Sequence, residues 1–157
     1  MRMKIAALAI AASMLRMAGA QAPSVDHLTP SELLEKAQTL EPKAQAANGS
    51  ASEKLTEYPN HYTMISLRHK DGGAEVHQEF SDLFFVLQGK ATLLSGGDVQ
   101  NSKTVSPGEI RGTSLKNANS VQLNQGDFVH IPAGISHQLL VAEGGTFIYF
   151  VVKVKEK

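Results

Sequence analysis

Gly126-Asp127-Phe128-Val129-His130-Ile131-Pro132-Ala133-Gly134-Ile135-Ser136-His137 reads as two turns and a strand that deliver one histidine to a set place. Gly126 permits a tight turn, the residues through Ile131 form a short apolar strand, Pro132 and Gly134 force a second turn, and His137 begins the next strand. A histidine held by rigid turns has a fixed position, as a metal ligand or general base requires. Upstream lies a second unusual stretch, Gly73-Ala74-Glu75-Val76-His77-Gln78-Glu79-Phe80-Ser81-Asp82, followed by an apolar run and Gly89. If Glu75 to Glu79 is extended, His77 and Glu79 point to one face. Asp82 then opens the next strand.

Outward from these stretches the text is β from Tyr58 onward. His61 to His69 alternates, with Thr63, Ile65 and Leu67 on one side and Tyr62, Met64 and Ser66 on the other. Asp71-Gly72-Gly73 turns the chain into the strand that carries His77. Leu83 to Leu87 and Phe147 to Val152 are apolar on both faces, with Phe84, Val86, Tyr149 and Val151 reading as lining of the interior. A strand with one face already buried needs only that face apolar, so the second face here asks for a cover. A second subunit or an N-terminal helix would supply it. Gly96-Gly97 and Ser106-Pro107-Gly108 bound an insertion, in which Glu109 to Thr113 adds an edge strand before Ser120 to Leu123; the extra residues make a plain hairpin or a lip over a pocket.

The two stretches together resemble the paired motifs of the cupin superfamily. The second matches throughout: Gly126, five residues, Pro132, one residue, Gly134, two residues, His137. The first matches in spacing and departs in chemistry. Cupins usually carry His, one residue, His, then three or four residues, Glu, six residues and Gly; this chain keeps His77, has Glu79 where the second histidine belongs, Asp82 near the acidic position, and Gly89 after six intervening residues. The resemblance implies an all-β fold, an antiparallel β-barrel or double-sheet jelly roll, with a metal site inside. It implies His77, Glu79, Asp82 and His137 as the ligands. Two imidazoles with one or two carboxylates suit a divalent Fe, Mn or Zn and, lacking sulfur, suit Cu(I) poorly. Failing as ligands, Glu79 or Asp82 would be hydrogen-bond acceptors fixing a histidine tautomer. His130 shares strand parity with Phe128 and Pro132, and is either a candidate acid or base in the pocket or a hydrogen-bonded strand histidine.

Ahead of the β text, Thr29-Pro30-Ser31-Glu32 is a helix start with a threonine cap, proline in the first turn and a glutamate three residues after the cap. Leu33, Leu34, Ala37 and Leu40 fall on one stripe of that short helix, which ends near Pro42 or runs on weakly through the alanines. Asn48 to Ser52 reads as a linker. Residues 1–20 have the outline of a secretory signal: Met1-Arg2-Met3-Lys4, an apolar run from Ile5 to Leu15, and Ala18-Gly19-Ala20 before Gln21. That run is too short to stay as a membrane anchor. The expected organisation is a signal peptide over 1–20, helix and linker over 21–57, and a β-domain over 58–157, with a periplasmic or secreted location.

The 157 residues suffice for one domain with a sizeable core, and there is no cysteine for a disulfide or lipid attachment. Residues 1–20 carry Arg2, Lys4 and Arg16 and no acid, so their removal takes the basic count from 15 to 12 against 15 acids. The mature chain, at about −3 by that count, is ill suited to nucleic acid or to an anionic membrane. A small-molecule ligand or substrate and a homodimer are the expected partners. Three functional classes follow: a metal-dependent enzyme of dioxygenase, isomerase or lyase type, a small-ligand-binding module, and a structural barrel whose metal site has been lost. Fold alone does not choose among them.

Overall fold

Alternating apolar residues and glycine-marked turns fold this chain into two facing antiparallel sheets. The computed structural model describes residues 25–156; the expected signal peptide over 1–20 lies outside them. The first sheet contains β1 (Ser50–Glu57), β2 (His61–Arg68), β4 (Phe80–Gln88), β11 (Phe128–Ile131) and β13 (Phe147–Lys155), in the order β1-β2-β13-β4-β11. The second contains β3 (Ala74–His77), β5 (Lys90–Ser95), β7 (Lys103–Ser106), β8 (Glu109–Gly112), β10 (Asn119–Asn124) and β12 (His137–Leu140), in the order β10-β5-β12-β3-β8-β7. A small ribbon pairs β6 (Asp98–Gln100) with β9 (Ser114–Lys116).

Period-two alternation sorts the side chains of β4 and β13 between two cores. Phe84 and Val86 with Phe147, Tyr149 and Val151 turn inward and pack with Leu93, Leu123, Ile131 and Leu139 between the sheets. Leu87 and Ile148 turn outward and pack with Ile65 and Leu67 under the helices α1 (Pro30–Gln38) and α2 (Glu41–Ala46). The expected double-faced burial of these strands is thus met by the N-terminal helices over part of the outer face. Over the remainder an apolar groove stays open, with Phe85 and Phe128 exposed at its surface.

The helix start forms as its sequence requires. Thr29 caps α1 in a capping box, its hydroxyl accepting from the Glu32 N–H while the Glu32 carboxylate accepts from the Thr29 N–H at 2.7 Å. Leu33 and Ala37 of the predicted stripe are buried, as is Leu40 just beyond α1. The chain breaks at Thr39 and restarts as α2 with Pro42 in its first turn.

Two segments differ from their reading. Asn48 and Gly49 turn the chain through positive φ, but Ser50 already begins β1, which pairs with β2 from Ser50↔Arg68 to Glu57↔Tyr62. The expected linker therefore ends two residues in, and the first strand lies within the segment assigned to helix and linker. Polar side chains such as Ser52, Glu53 and Lys54 hid it, because an edge strand exposes much of its surface. Glu109 to Gly112 is a strand, β8, but not an edge: it pairs with β3 on one side and β7 on the other. Gly89, at φ +84, makes the turn from β4 to β5 where a Cβ would stand 1.9 Å from the Thr146 carbonyl oxygen, so only glycine fits.

Candidate metal centre

The register of β12, β3 and β8 brings the site together on the inner face of the second sheet. His137 stands opposite Glu75, Glu75 opposite Arg111, and His77 opposite Glu109. From the first sheet, Asp82 of β4 stands opposite Lys153 of β13. A hydrogen bond from the Gly134 N–H to the His77 carbonyl, 2.8 Å, ties the turn that precedes His137 to the end of the strand that carries His77. Both imidazoles are therefore fixed by backbone, with ring centroids 5.2 Å apart and each side chain about 4% exposed.

Each ring is oriented through Nδ1. That of His77 donates to the Glu109 carboxylate, whose oxygens lie 2.8 and 2.9 Å away, and that of His137 donates to the Ile135 carbonyl at 3.1 Å. Such bonds select the tautomer with a free lone pair on Nε2. The His77 Nε2 is 3.3 Å from Glu75 Oε2 and 3.5 Å from Asp82 Oδ2; the His137 Nε2 is 3.9 and 3.7 Å from the same two atoms. His77 Nε2 is fully buried and has no hydrogen-bond partner among the described residues.

The two imidazole Nε2 atoms thus face the Glu75 and Asp82 oxygens, with Arg111 Nη1 reaching the same Glu75 oxygen at 2.9 Å. A buried lone pair in that position is costly unless a cation sits among them. Donors bound to one ion at about 2.1 Å stand roughly 3 to 4 Å apart, which matches these separations. Glu75, His77 and His137 offer donor atoms that all lie within 4.8 Å of one another. The donor set fits a divalent metal.

Flanking charges tune the carboxylates. Arg111 reaches Glu75 at 2.9 Å and Glu109 at 3.2 Å, and Lys153 Nζ reaches Asp82 Oδ1 at 2.6 Å. Burial alone would raise the Glu75 carboxyl, but contact with the His77 ring and the positive charge of Arg111, aided by His137 and Arg68, outweighs it and holds the group at about 2. The His137 imidazole is held below its usual value, burial outweighing the Ile135 hydrogen bond and the nearby Asp82 and Glu75 carboxylates. Both shifts keep these groups in the forms that bind metal.

The structure gathers three of the four predicted ligand positions, His77, Asp82 and His137, and leaves Glu79 out. β3 ends at His77, where the Gln78 N–H turns to the Gly108 carbonyl, and Glu79 lies exposed in the bend beside Gly108. Parity with His77 fails beyond the strand end and holds within it, so Glu75, two residues earlier, occupies the acidic position. His130 is also outside: on β11 it is Ile131 that turns inward, and His130 is exposed on the opposite face. Glu109 and Arg111 were not singled out. The signal available for them was the charged pair flanking Ile110, one side of a strand that no motif marks.

No protein-family model matches the sequence, and no curated protein is similar to it in sequence. Solved structures are similar in fold. An uncharacterized protein with a double-stranded β-helix domain from Klebsiella pneumoniae aligns over 71% of this chain and 76% of its own, at 16% identity and TM-score 0.52. The cupin domain of Schizosaccharomyces pombe Cnp3 aligns over 68% and 65%, at 11% identity and TM-score 0.51. The DMSP lyase DddQ of Ruegeria pomeroyi aligns over 71% of this chain and 49% of its own, at 17% identity and TM-score 0.51. Two facing antiparallel sheets, shared in outline with these structures, give this chain the double-stranded β-helix fold that the cupin domain also has.

Proposed function

We propose that the chain holds one divalent metal ion through Glu75, His77 and His137, with Asp82 alongside, and uses it to bind or transform a small molecule in an exported compartment. The observation that carries this reading is the buried His77 Nε2, turned without a partner toward Glu75 and Asp82 at 3.3 and 3.5 Å. Zinc, Fe(II) or Mn(II) suits the donor set, and such an ion supplies a Lewis acid for a substrate oxygen and lowers the pKa of bound water.

The chain's own residues do the rest. Glu109 keeps the His77 ring in one tautomer, the Ile135 carbonyl does the same for His137, and Arg111 braces Glu75 against Glu109. The cavity that Tyr62, Phe84 and Leu139 help to line is about 250 Å³, below the range for drug-sized ligands, so the molecule it takes is small. A fold-mate that is a lyase supports turnover without deciding between turnover and reversible capture; consumption of the bound molecule decides it.

The open groove of Phe85, Phe128 and Phe150 supports a homodimer formed over that face. Elemental analysis tests the central claim. Purified protein should retain about one metal per chain, as expected for a single constellation. His77→Ala and His137→Ala should each lose it; wild-type metal content in either variant would reject the assignment. N-terminal sequencing of the secreted or periplasmic protein, expected to begin at Gln21, tests the export.

A further inference from the structure

The cations lining the cavity are not equivalent. Lys153 and Arg111 are engaged by carboxylates at 2.6, 2.9 and 3.2 Å. Arg68, at the end of β2 and with a side chain only 17% exposed, has only a long ion pair with Glu75. Its Nε donates to the Tyr149 hydroxyl at 3.0 Å, which fixes the plane of the guanidinium. Its Nη2 stands 4.0 Å from Glu75 Oε1, close enough for an ion pair and beyond hydrogen-bond reach. A largely buried guanidinium whose stem is anchored and whose fork meets only this distant carboxylate is a seat placed to receive a second anion at closer, bidentate range.

Glu75 places that seat. One of its oxygens faces Arg68 and the other faces His77 and His137, so the fork lies one carboxylate's width from the metal-binding group. Ser66, two residues before Arg68 on the same inner row, hydrogen-bonds Ser52 at 2.8 Å and presents a polar wall beside the fork. Met64 and Leu139 give the cavity an apolar side. A planar monoanion fits these surroundings better than a phosphate, because Glu75 is ionised nearby and repels a second negative charge.

We propose that Arg68 is the specificity-determining residue for a small organic carboxylate, received in bidentate fashion with the rest of the molecule directed toward Glu75, His77 and His137. This rests on the metal-site reading for the place of the second end, but the anion seat itself belongs to Arg68.

The test uses glycolate and its neutral counterpart glycolamide, titrated by calorimetry into metal-free and metal-loaded wild-type protein and into Arg68→Met. Glycolate should bind the metal-free wild type at least about tenfold tighter than glycolamide, and about tenfold tighter than it binds Arg68→Met, as expected for a charge-assisted bidentate pair. Arg111, at 2.9 Å, still holds Glu75 ionised in Arg68→Met, so that variant should keep about one metal per chain. If Arg68→Met fails to fold, the comparison of glycolate with glycolamide in the wild type stands alone. Equal binding of the two probes, or tighter binding of inorganic phosphate than of glycolate, would overturn the carboxylate assignment while leaving the metal site intact. Loss of metal in the wild type, with glycolate still dependent on Arg68, would instead reject the metal reading.

Discussion

Lys153 Nζ lies 2.6 Å from Asp82 Oδ1, across the β13–β4 pair and at the inner end of the row that runs Phe147, Tyr149, Val151, Lys153. An inward lysine at the end of an apolar row is tolerated because its partner is directly opposite and also buried. The pair leaves Asp82 with one oxygen committed to the lysine and the other turned to the histidines. Lys153→Met should therefore cost the metal-free protein about 3 to 5 kcal/mol, the usual penalty for stranding a buried charge. Zinc or manganese should recover part of that loss and bind more tightly to the variant, because the competing ammonium is gone. Thermal unfolding with and without metal reads both effects, and an unchanged metal affinity would show that the two cations do not compete for Asp82.

Of the acidic residues near His77, only those on strand faces should matter to the metal. Glu75→Gln should weaken binding at least about tenfold, and Glu109→Gln about 10- to 100-fold through the freed His77 ring. Glu79→Gln should leave affinity unchanged. Competition with a chromophoric chelator measures all three, and a strong loss in Glu79→Gln would mean that the bend after β3 rearranges when metal binds.

Acid should destabilise the metal-free protein in two stages. The His137 and Glu75 groups both sit below their ordinary values in the folded chain, so each binds a proton less readily folded than unfolded. The His137 contribution is complete above its ordinary value of 6.5 and is lost as pH falls through its lower folded value. The Glu75 contribution is complete above 4.5 and is lost as pH falls toward about 2. Urea unfolding from pH 7 to 3 should show declining stability, and Glu75→Gln should flatten the part below 4.5. Parallel curves for the two proteins in that lower range would contradict the ionised state assigned to Glu75.

Phe128 is 63% exposed and Phe85 41%, on the outer face left uncovered by the helices. Phe128→Asp should convert a dimer to a monomer with little change in intrinsic stability, within about 0.5 kcal/mol for a surface position. Light scattering coupled to size exclusion gives the mass directly; a wild-type monomer at micromolar concentration would remove the dimer from consideration.

The legible parts of this chain were those in which local chemistry and tertiary position agree. The turns at Gly126 and Gly134 and the capping box at Thr29 are properties of a few adjacent residues, and each formed where its sequence placed it. Spacing singled out His77 and His137, whose rings the fold brings within 5.2 Å of each other. The acid at the centre was misplaced because two residues after His77 and two before it are equally good by parity, and only the end of β3 separates Glu75 from Glu79. Glu109, Arg111 and Arg68 could be found only through strand pairing, which joins residues far apart in the chain and leaves no local trace. β1 was missed for the opposite reason: a polar edge strand resembles a linker until its neighbour is known.

β13 lies between β2 and β4 in the first sheet, although it is the last strand of the described chain. Until residues 147–155 are in place, that sheet is two fragments, each with a bare hydrogen-bonding edge and half an apolar interior. A polypeptide stopped at residue 146 would thus be sticky rather than merely shorter. Slow assembly also follows, since the middle of the sheet must wait for its most distant segment. During synthesis the vulnerable interval closes only when this last strand slots home.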